Sequence, residues 1–198
     1  MQRTHQSRGR RERQLRIIAG RWRARRFRFP PLAIRPTPDR VRETLFNWLQ
    51  PRIEGARCLD LYAGSGALGL EALSRGAASV VFVELQRAAV QGLQALLTEW
   101  QASGASVLCS DALRYLAGTP PQGGFNVVFL DPPYDSGELA RAAAALEPRW
   151  LAADARLYLE HSRAAPLPRL PERWRELRSG TAGEVGYHLF EVGGAAST

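Results

Sequence analysis

Apolar residues fall into short, partly β-branched runs at positions 58–61, 80–83, 107–109, 127–130 and 157–160. Runs of this length, bounded by glycine or polar clusters, are the pattern of strands buried on both faces. Helical spacing fills the gaps between them, over 67–75, 87–100, 111–116 and 139–146, and Gly76 is placed to cap the first of these in the left-handed conformation. Strand and helix alternation predicts a parallel sheet with helices on both faces. Two further strands, 174–177 and 187–190, are separated only by the glycine-rich stretch 180–186, so they form an antiparallel hairpin at the sheet edge. The expected architecture is α/β, a Rossmann-like, seven-stranded, mostly parallel sheet.

Upstream the pattern changes. Residues 15–20 and 21–29 read as a β-hairpin turning near Gly20, in which Arg23 and Arg25 alternate with Trp22 and Ala24, and Phe27 and Phe29 flank Arg28. Arginines for phosphates interleaved with aromatics for stacking is a nucleic-acid-binding composition. Pro30 and Pro31 end the hairpin. A helix then opens with Thr37 as N-cap, Pro38 at the first helical position and Asp39 at the positive end of the dipole. Its apolar stripe is Val41, Leu45, Trp48 and Leu49, and Pro51 is expected to stop it. Three parts follow: a disordered basic tail over 1–13, a basic hairpin extension over 14–34, and a catalytic-type domain over 35–198.

Charge sharpens this division. The net charge is +8, yet the first 42 residues hold 14 Arg against two acids, a net of +12, and the remainder is net −4. Such asymmetry predicts an electrostatic arm for a polyphosphate attached to a body with other work. No apolar run is long enough to span a bilayer, and the arginine-rich start lacks a following apolar stretch, so a cytoplasmic location is expected. Cys58 and Cys109, each beside a predicted strand, are expected to be packing residues in a reducing compartment. His5, His161 and His188 are scattered in sequence, without metal-ligand spacing. A monomer is the default.

Candidate chemistry lies at the carboxyl ends of the runs, where open α/β sheets bind ligands. Asp131-Pro132-Pro133-Tyr134 follows the fourth run, and its two prolines force the chain out of the sheet. The Asp131 carboxylate and the Pro132 carbonyl are suited to accept both hydrogens of an exocyclic NH2 group. Holding them favours a pyramidal nitrogen whose lone pair can attack an electrophile, while Tyr134 offers a flat face to the base. Gly64, Gly66 and Gly69 match G-x-G-x-x-G, and Glu84 comes twenty residues after Gly64. That combination binds an adenosine-containing cofactor, with the acid on the ribose. Asp60, inside the strand before the glycines, would crowd a pyrophosphate but can orient a cationic amino-acid group, directly or through water. S-adenosyl-L-methionine is therefore favoured over NAD. Asp111 either meets the adenine amine or caps the next helix.

Residues 35–47, 60–77 and 131–134 together resemble the RsmD-type 16S rRNA (guanine-N2-)-methyltransferases, and the similarity runs in order from about Leu15 to Val192. The resemblance implies a class I S-adenosylmethionine-dependent methyltransferase fold. It also implies transfer of a methyl group to N2 of one guanine in 16S rRNA, within the small ribosomal subunit or a late assembly precursor. It places the cofactor on Asp60, Tyr62, Ala63, Gly64, Ser65, Gly66, Glu84, Asp111 and its neighbour Ala112. Catalysis falls to Asp131, Pro132, Pro133 and Tyr134, by direct displacement without a metal. Gln86 stands where many relatives carry a second acid. The arginines expected on RNA are Arg16, Arg21, Arg23, Arg25, Arg26, Arg35 and Arg40. Competing readings are a DNA adenine-N6 or cytosine-N4 methyltransferase, for which 198 residues leave no room for a target-recognition domain, and a non-catalytic ribosome-assembly factor.

Overall fold

Residues 13–29, 37–134, 136–147 and 149–193 are described by a computed structural model. The expected disordered tail, apart from Arg13, lies outside the described residues, as do Pro30, Pro31 and Arg35. Strands β1 (Arg13–Arg16) and β2 (Arg26–Phe29) pair antiparallel as the N-terminal hairpin. They are shorter than expected because the connection between them is wide. Ile17 N–H donates to the Arg25 carbonyl and Ala24 N–H to the Ile17 carbonyl, each at 2.9 Å, which curls the chain before the second strand starts.

Helix α1 (Asp39–Ile53) has no side-chain cap at its start. Thr37, the expected cap, turns inward instead and donates its hydroxyl to Glu160 at 2.8 Å. Pro51 does not stop the helix either. It sits in the last turn, where it removes one backbone bond, and buried Ile53 holds the end against the core.

The alternating region continues as β3 (Arg57–Asp60), α2 (Ala67–Ser74), β4 (Ser79–Glu84), α3 (Arg87–Glu99), β5 (Ala105–Cys109), α4 (Ala112–Leu116), β6 (Phe125–Leu130), α5 (Glu138–Leu146), β7 (Leu151–Ser162), β8 (Trp174–Ala182) and β9 (Val185–Val192). The sheet has seven strands in the order β5-β4-β3-β6-β7-β9-β8. Strands β3 to β7 pair in parallel, and β9 is antiparallel to both β7 and β8. Strand order reverses between β3 and β6, so the carboxyl ends of those two strands flank the crevice of a doubly wound sheet. Cys58 is buried in β3, whereas Cys109 is exposed, contrary to expectation, because β5 is an edge strand.

Side chains leave the sheet on opposite faces in alternation. Phe82 and Phe129 point into a core closed by Leu45, Phe46 and Leu70. Val83 and Leu130 point into the other, with Leu146 and Trp150. Each fully buried large apolar side chain contributes about 1.5–3 kcal/mol, so the two cores stabilise a frame rigid enough to hold short loops at the strand ends.

The hairpin belongs to the first core. Trp22 and Phe27 are buried against Trp100, with ring centroids 5.1 and 5.9 Å away. Phe29 is also buried. The expected role of these aromatics in stacking on bases is therefore replaced by packing on the domain. Polar contacts complete the docking. Fully buried Glu71 of α2 accepts the backbone N–H groups of Ile18 at 2.8 Å and Ala19 at 3.0 Å, and Arg75 Nε at 2.8 Å. Ser74 Oγ donates to the Ala19 carbonyl at 2.6 Å and accepts the Trp22 N–H at 3.0 Å. Gly20 has φ +83°, and a Cβ there would come within 1.9 Å of the Ser74 carbonyl oxygen. Only glycine fits that approach.

Candidate active site

The glycine turn after β3 is shaped by two carboxylates beneath it. Gly64 and Gly66 have positive φ of 52° and 75°, so the backbone folds back tightly before α2 begins. Glu84, at the end of β4, accepts the Gly64 N–H at 2.8 Å and the Gln86 N–H at 2.7 Å. Asp60 accepts the Gly69 N–H at 3.0 Å. Gly69 itself packs on Phe82, where a Cβ would come within 2.1 Å of the ring. The third glycine thus serves close helix–strand packing, and the first two serve the turn.

A cavity of about 450 Å³ opens over the carboxyl ends of the strands. Its walls include Tyr62, Glu84, Asp111, Ala112 and residues 131–134, together with Leu85, Gln86 and Glu138. The volume is within the range of small-molecule and cofactor sites. Of the residues expected around a cofactor, Asp60, Ala63, Gly64, Ser65 and Gly66 are not among these walls. Asp60 is turned toward α2, so its geometry is that of a support for the turn. Asp111 caps α4 by accepting the Arg114 N–H at 2.9 Å while also facing the cavity. Both roles considered for it are compatible. Gln86 faces the cavity and donates its backbone N–H to Glu84, which leaves Glu84 as the acid at this point.

Residues 131–134 stand at the cavity's far side. Burial pushes the Asp131 carboxyl well above the usual carboxylate range, and the nearby charges of Glu160 and Asp60 push it further. Burial, with the charge of Glu84 added, raises Asp60 to about 7 despite the opposing Gly69 hydrogen bond. Tyr134 is 42% exposed and separates the large cavity from a smaller one of about 160 Å³.

One residue on that smaller cavity was not assigned a role from sequence. Glu160, near the end of β7, is buried and accepts hydroxyls from Tyr158 at 2.7 Å, Thr37 at 2.8 Å and Tyr134 at 3.4 Å. The signal for it was an acid closing an apolar strand, the same feature that marks Glu84 and Asp131. Desolvation raises its pKa, and the hydroxyl donors oppose the rise. Two histidines distant in sequence also meet: His161 Nε2 lies 3.0 Å from His188 Nε2, and His188 Nδ1 lies 2.9 Å from Glu176. They are not scattered in space. Strand pairing between β7 and β9 brings them together.

A family model described as "Conserved hypothetical protein 95" matches residues 15–191. The chain is 47% identical over 182 residues to the ribosomal RNA small subunit methyltransferase D of Escherichia coli K12, covering 90% of each chain. It belongs to the ribosomal RNA small subunit methyltransferase D family. The Haemophilus influenzae member is 43% identical, over 90% of this chain and 94% of its own. The solved structure of Escherichia coli yhhF superposes with a TM-score of 0.84 at 46% identity, covering 92% of this chain and 99% of that one. An RNA methyltransferase from Salinibacter ruber, solved with S-adenosyl-L-homocysteine, shares the fold at 15% identity and a TM-score of 0.61. The fold of this family member is the S-adenosylmethionine-dependent methyltransferase fold.

In this member of the methyltransferase D family the expected RNA-facing arginines divide. Arg16, Arg21, Arg23, Arg25 and Arg26 are exposed on the hairpin, and Arg40 is exposed on α1. Arg21 stacks its guanidinium over Trp22 at 4.1 Å and Arg25 over Trp100 at 5.5 Å, which orders both side chains without neutralising them. Arg16 pairs with Asp39 at 2.7 Å. Arg42 is fully buried and donates to Asp39 and to the Arg16 carbonyl, so it ties the hairpin to α1.

Proposed function

We propose that the chain is an S-adenosylmethionine-dependent methyltransferase acting on the exocyclic N2 of a guanine in the 16S rRNA of the small ribosomal subunit. The single observation carrying this reading is that one cavity is walled both by Glu84 and Asp111 and by residues 131–134. The named activity of the relatives supports rRNA as the substrate class.

The donor set fits this cofactor. Glu84 has acceptor capacity for ribose hydroxyls beyond its two backbone contacts, and Asp111 and Ala112 lie where an adenine edge would rest. Tyr62 and the positive-φ turn allow the backbone to come close to the amino-acid end, with Asp60 holding the turn from below. When bound, the cofactor supplies an electrophilic methyl group on a sulfonium. The protein's own work is alignment. Asp131 and the Pro132 carbonyl hold the two hydrogens of the guanine amine, which directs the nitrogen lone pair toward the methyl. Pro133 keeps the backbone out of the sheet, and Tyr134 supports the flipped base. Transfer would form the N–C bond as the sulfonium's bond to that methyl breaks, leaving a neutral thioether, and the nitrogen's surplus proton would pass to Asp131 or to water.

The hairpin over 14–34 acts as the RNA-binding extension of a methyltransferase domain over 35–198. Its arginines bind phosphates and contribute position more than base specificity. Among the described residues no helix is long and apolar enough to cross a membrane; the proposed substrate, ribosomal particles, places the action in the cytoplasm. The test is transfer of a radiolabelled methyl group to small subunits, naked rRNA and DNA, followed by nucleoside analysis. Labelled N2-methylguanosine from the subunit supports the reading; label in DNA alone, or none, overturns it.

A further inference from the structure

We propose that Glu160 selects guanine, by accepting the ring N1–H beside the amine that is methylated. The inference rests on the guanine-N2 reading and names the residue that restricts that site to one base. It comes from the asymmetry of a single carboxylate. Oε1 of Glu160 is held by two short hydrogen bonds, from Tyr158 at 2.7 Å and Thr37 at 2.8 Å. Among the described residues, Oε2 receives a hydroxyl only from Tyr134, at 3.4 Å. One oxygen is fastened to the scaffold, the other has only the long Tyr134 contact among the described residues, and the Glu160 side chain lines the cavity of about 160 Å³ beside Tyr134.

Base chemistry decides what that oxygen can read. In guanine the atom adjacent to the amine-bearing carbon on the Watson–Crick edge is N1–H, a donor. In adenine and cytosine the corresponding ring nitrogen is an acceptor. A carboxylate beside the amine-binding Asp131 therefore accepts from guanine and repels the lone pair of the other two. Burial strengthens both effects, because an unpaired or opposed polar group away from water is costly. Leu130 pairs with Leu159 across β6 and β7, so Asp131 and Glu160 follow side by side toward the carboxyl ends of neighbouring strands. One carboxylate then holds the amine and the other the neighbouring N–H, so the pair spans the two donors that only guanine presents together. Thr37 lies just before α1 and fastens Glu160 from the side of the arginine-bearing segment. The acceptor is thus preorganised by a residue outside the sheet.

The test uses the full chain and small subunits assembled with rRNA carrying either guanine or 2-aminopurine at the position the wild type methylates. 2-Aminopurine keeps the 2-amino group but has an acceptor at N1. Wild type should prefer guanine by about 10- to 100-fold in kcat/KM, the scale of one good base-edge contact. In Glu160→Gln the amide oxygen takes the place held by Tyr158 and Thr37, so the NH2 faces the base. Guanine turnover should fall, and the preference should narrow or invert in favour of 2-aminopurine, with S-adenosylhomocysteine binding unchanged. A wild type that methylates both bases equally overturns the proposal without any variant. So does a variant whose preference ratio matches wild type. A wild type that methylates no guanine N2 in any particle refutes the underlying functional reading instead.

Discussion

Asp60 and Gly69 are joined across the start of α2 by a 3.0 Å hydrogen bond from the glycine N–H to the buried carboxylate. The bond steadies the glycine turn, but it does not offset the desolvation of the acid, which is raised from 3.8 to about 7.

A stability prediction follows from the sign of that shift. An acid with a raised folded-state pKa contributes stability that is fully present below its unfolded value and lost as pH rises through the folded one. The window here runs from about pH 4 to about pH 7. Asp60→Asn retains an acceptor for Gly69 and carries no charge. Relative to wild type it should be similarly stable near pH 4 and more stable at pH 8, by at most on the order of 4 kcal/mol. Urea denaturation at the two pH values measures the difference, and a constant offset between the two proteins would refute it.

Asp131 should be essential to turnover and dispensable for cofactor binding. Asp131→Ala is expected to lower kcat by about 100-fold or more, as loss of a preorganised transition-state contact does, while calorimetric affinity for S-adenosylhomocysteine persists. Because the carboxyl is displaced upward and must be ionised to accept the amine hydrogens, wild-type kcat/KM should rise with pH through a value above the ordinary carboxylate range. A profile flat across weakly acidic pH would contradict the role.

Glu71 concentrates the docking of the hairpin. Glu71→Ala strands two backbone N–H groups and leaves Arg75 without its buried partner, so destabilisation of about 3–5 kcal/mol is expected. Glu71→Gln should cost less. The expected signature is early exposure of residues 17–25 to hydrogen exchange, ahead of the strands of the main sheet.

The hairpin arginines should act through salt. Replacing Arg21, Arg23 and Arg25 together by alanine should weaken binding to the rRNA and reduce the slope of log K against log salt by about 2 to 3. Binding isotherms at several salt concentrations test this. An unchanged slope would place the phosphate contacts elsewhere.

The succession of strands and helices, and the strand-end acids Glu84 and Asp131, were legible because short apolar runs, glycines and terminal acids occur locally along the chain. The parts that sequence misassigned depend on partners far away. Thr37 looked like a helix cap, since nothing nearby reveals that Glu160 is 2.8 Å from it. Trp22, Phe27 and Phe29 alternate with arginine as base-stacking aromatics do, but Trp100 claims the first two. Pro51 reads as a breaker until Ile53 is seen to be buried beyond it. Asp60 reads as a cofactor acid from its place before the glycines, and its bond to the Gly69 N–H adds a support of the turn that only the fold reveals.

The seating of Gly20 against Ser74 has a metrical consequence. The hairpin grips one end of α2 and the glycine turn begins at the other, and an eight-residue helix is a strut of about 12 Å. On the proposed function, a phosphate bound at Arg21 would stand at a set span from the reacting amine. If the proposed function holds, which nucleotide is modified is in part a matter of reach, with a helix as the ruler between grip and reaction.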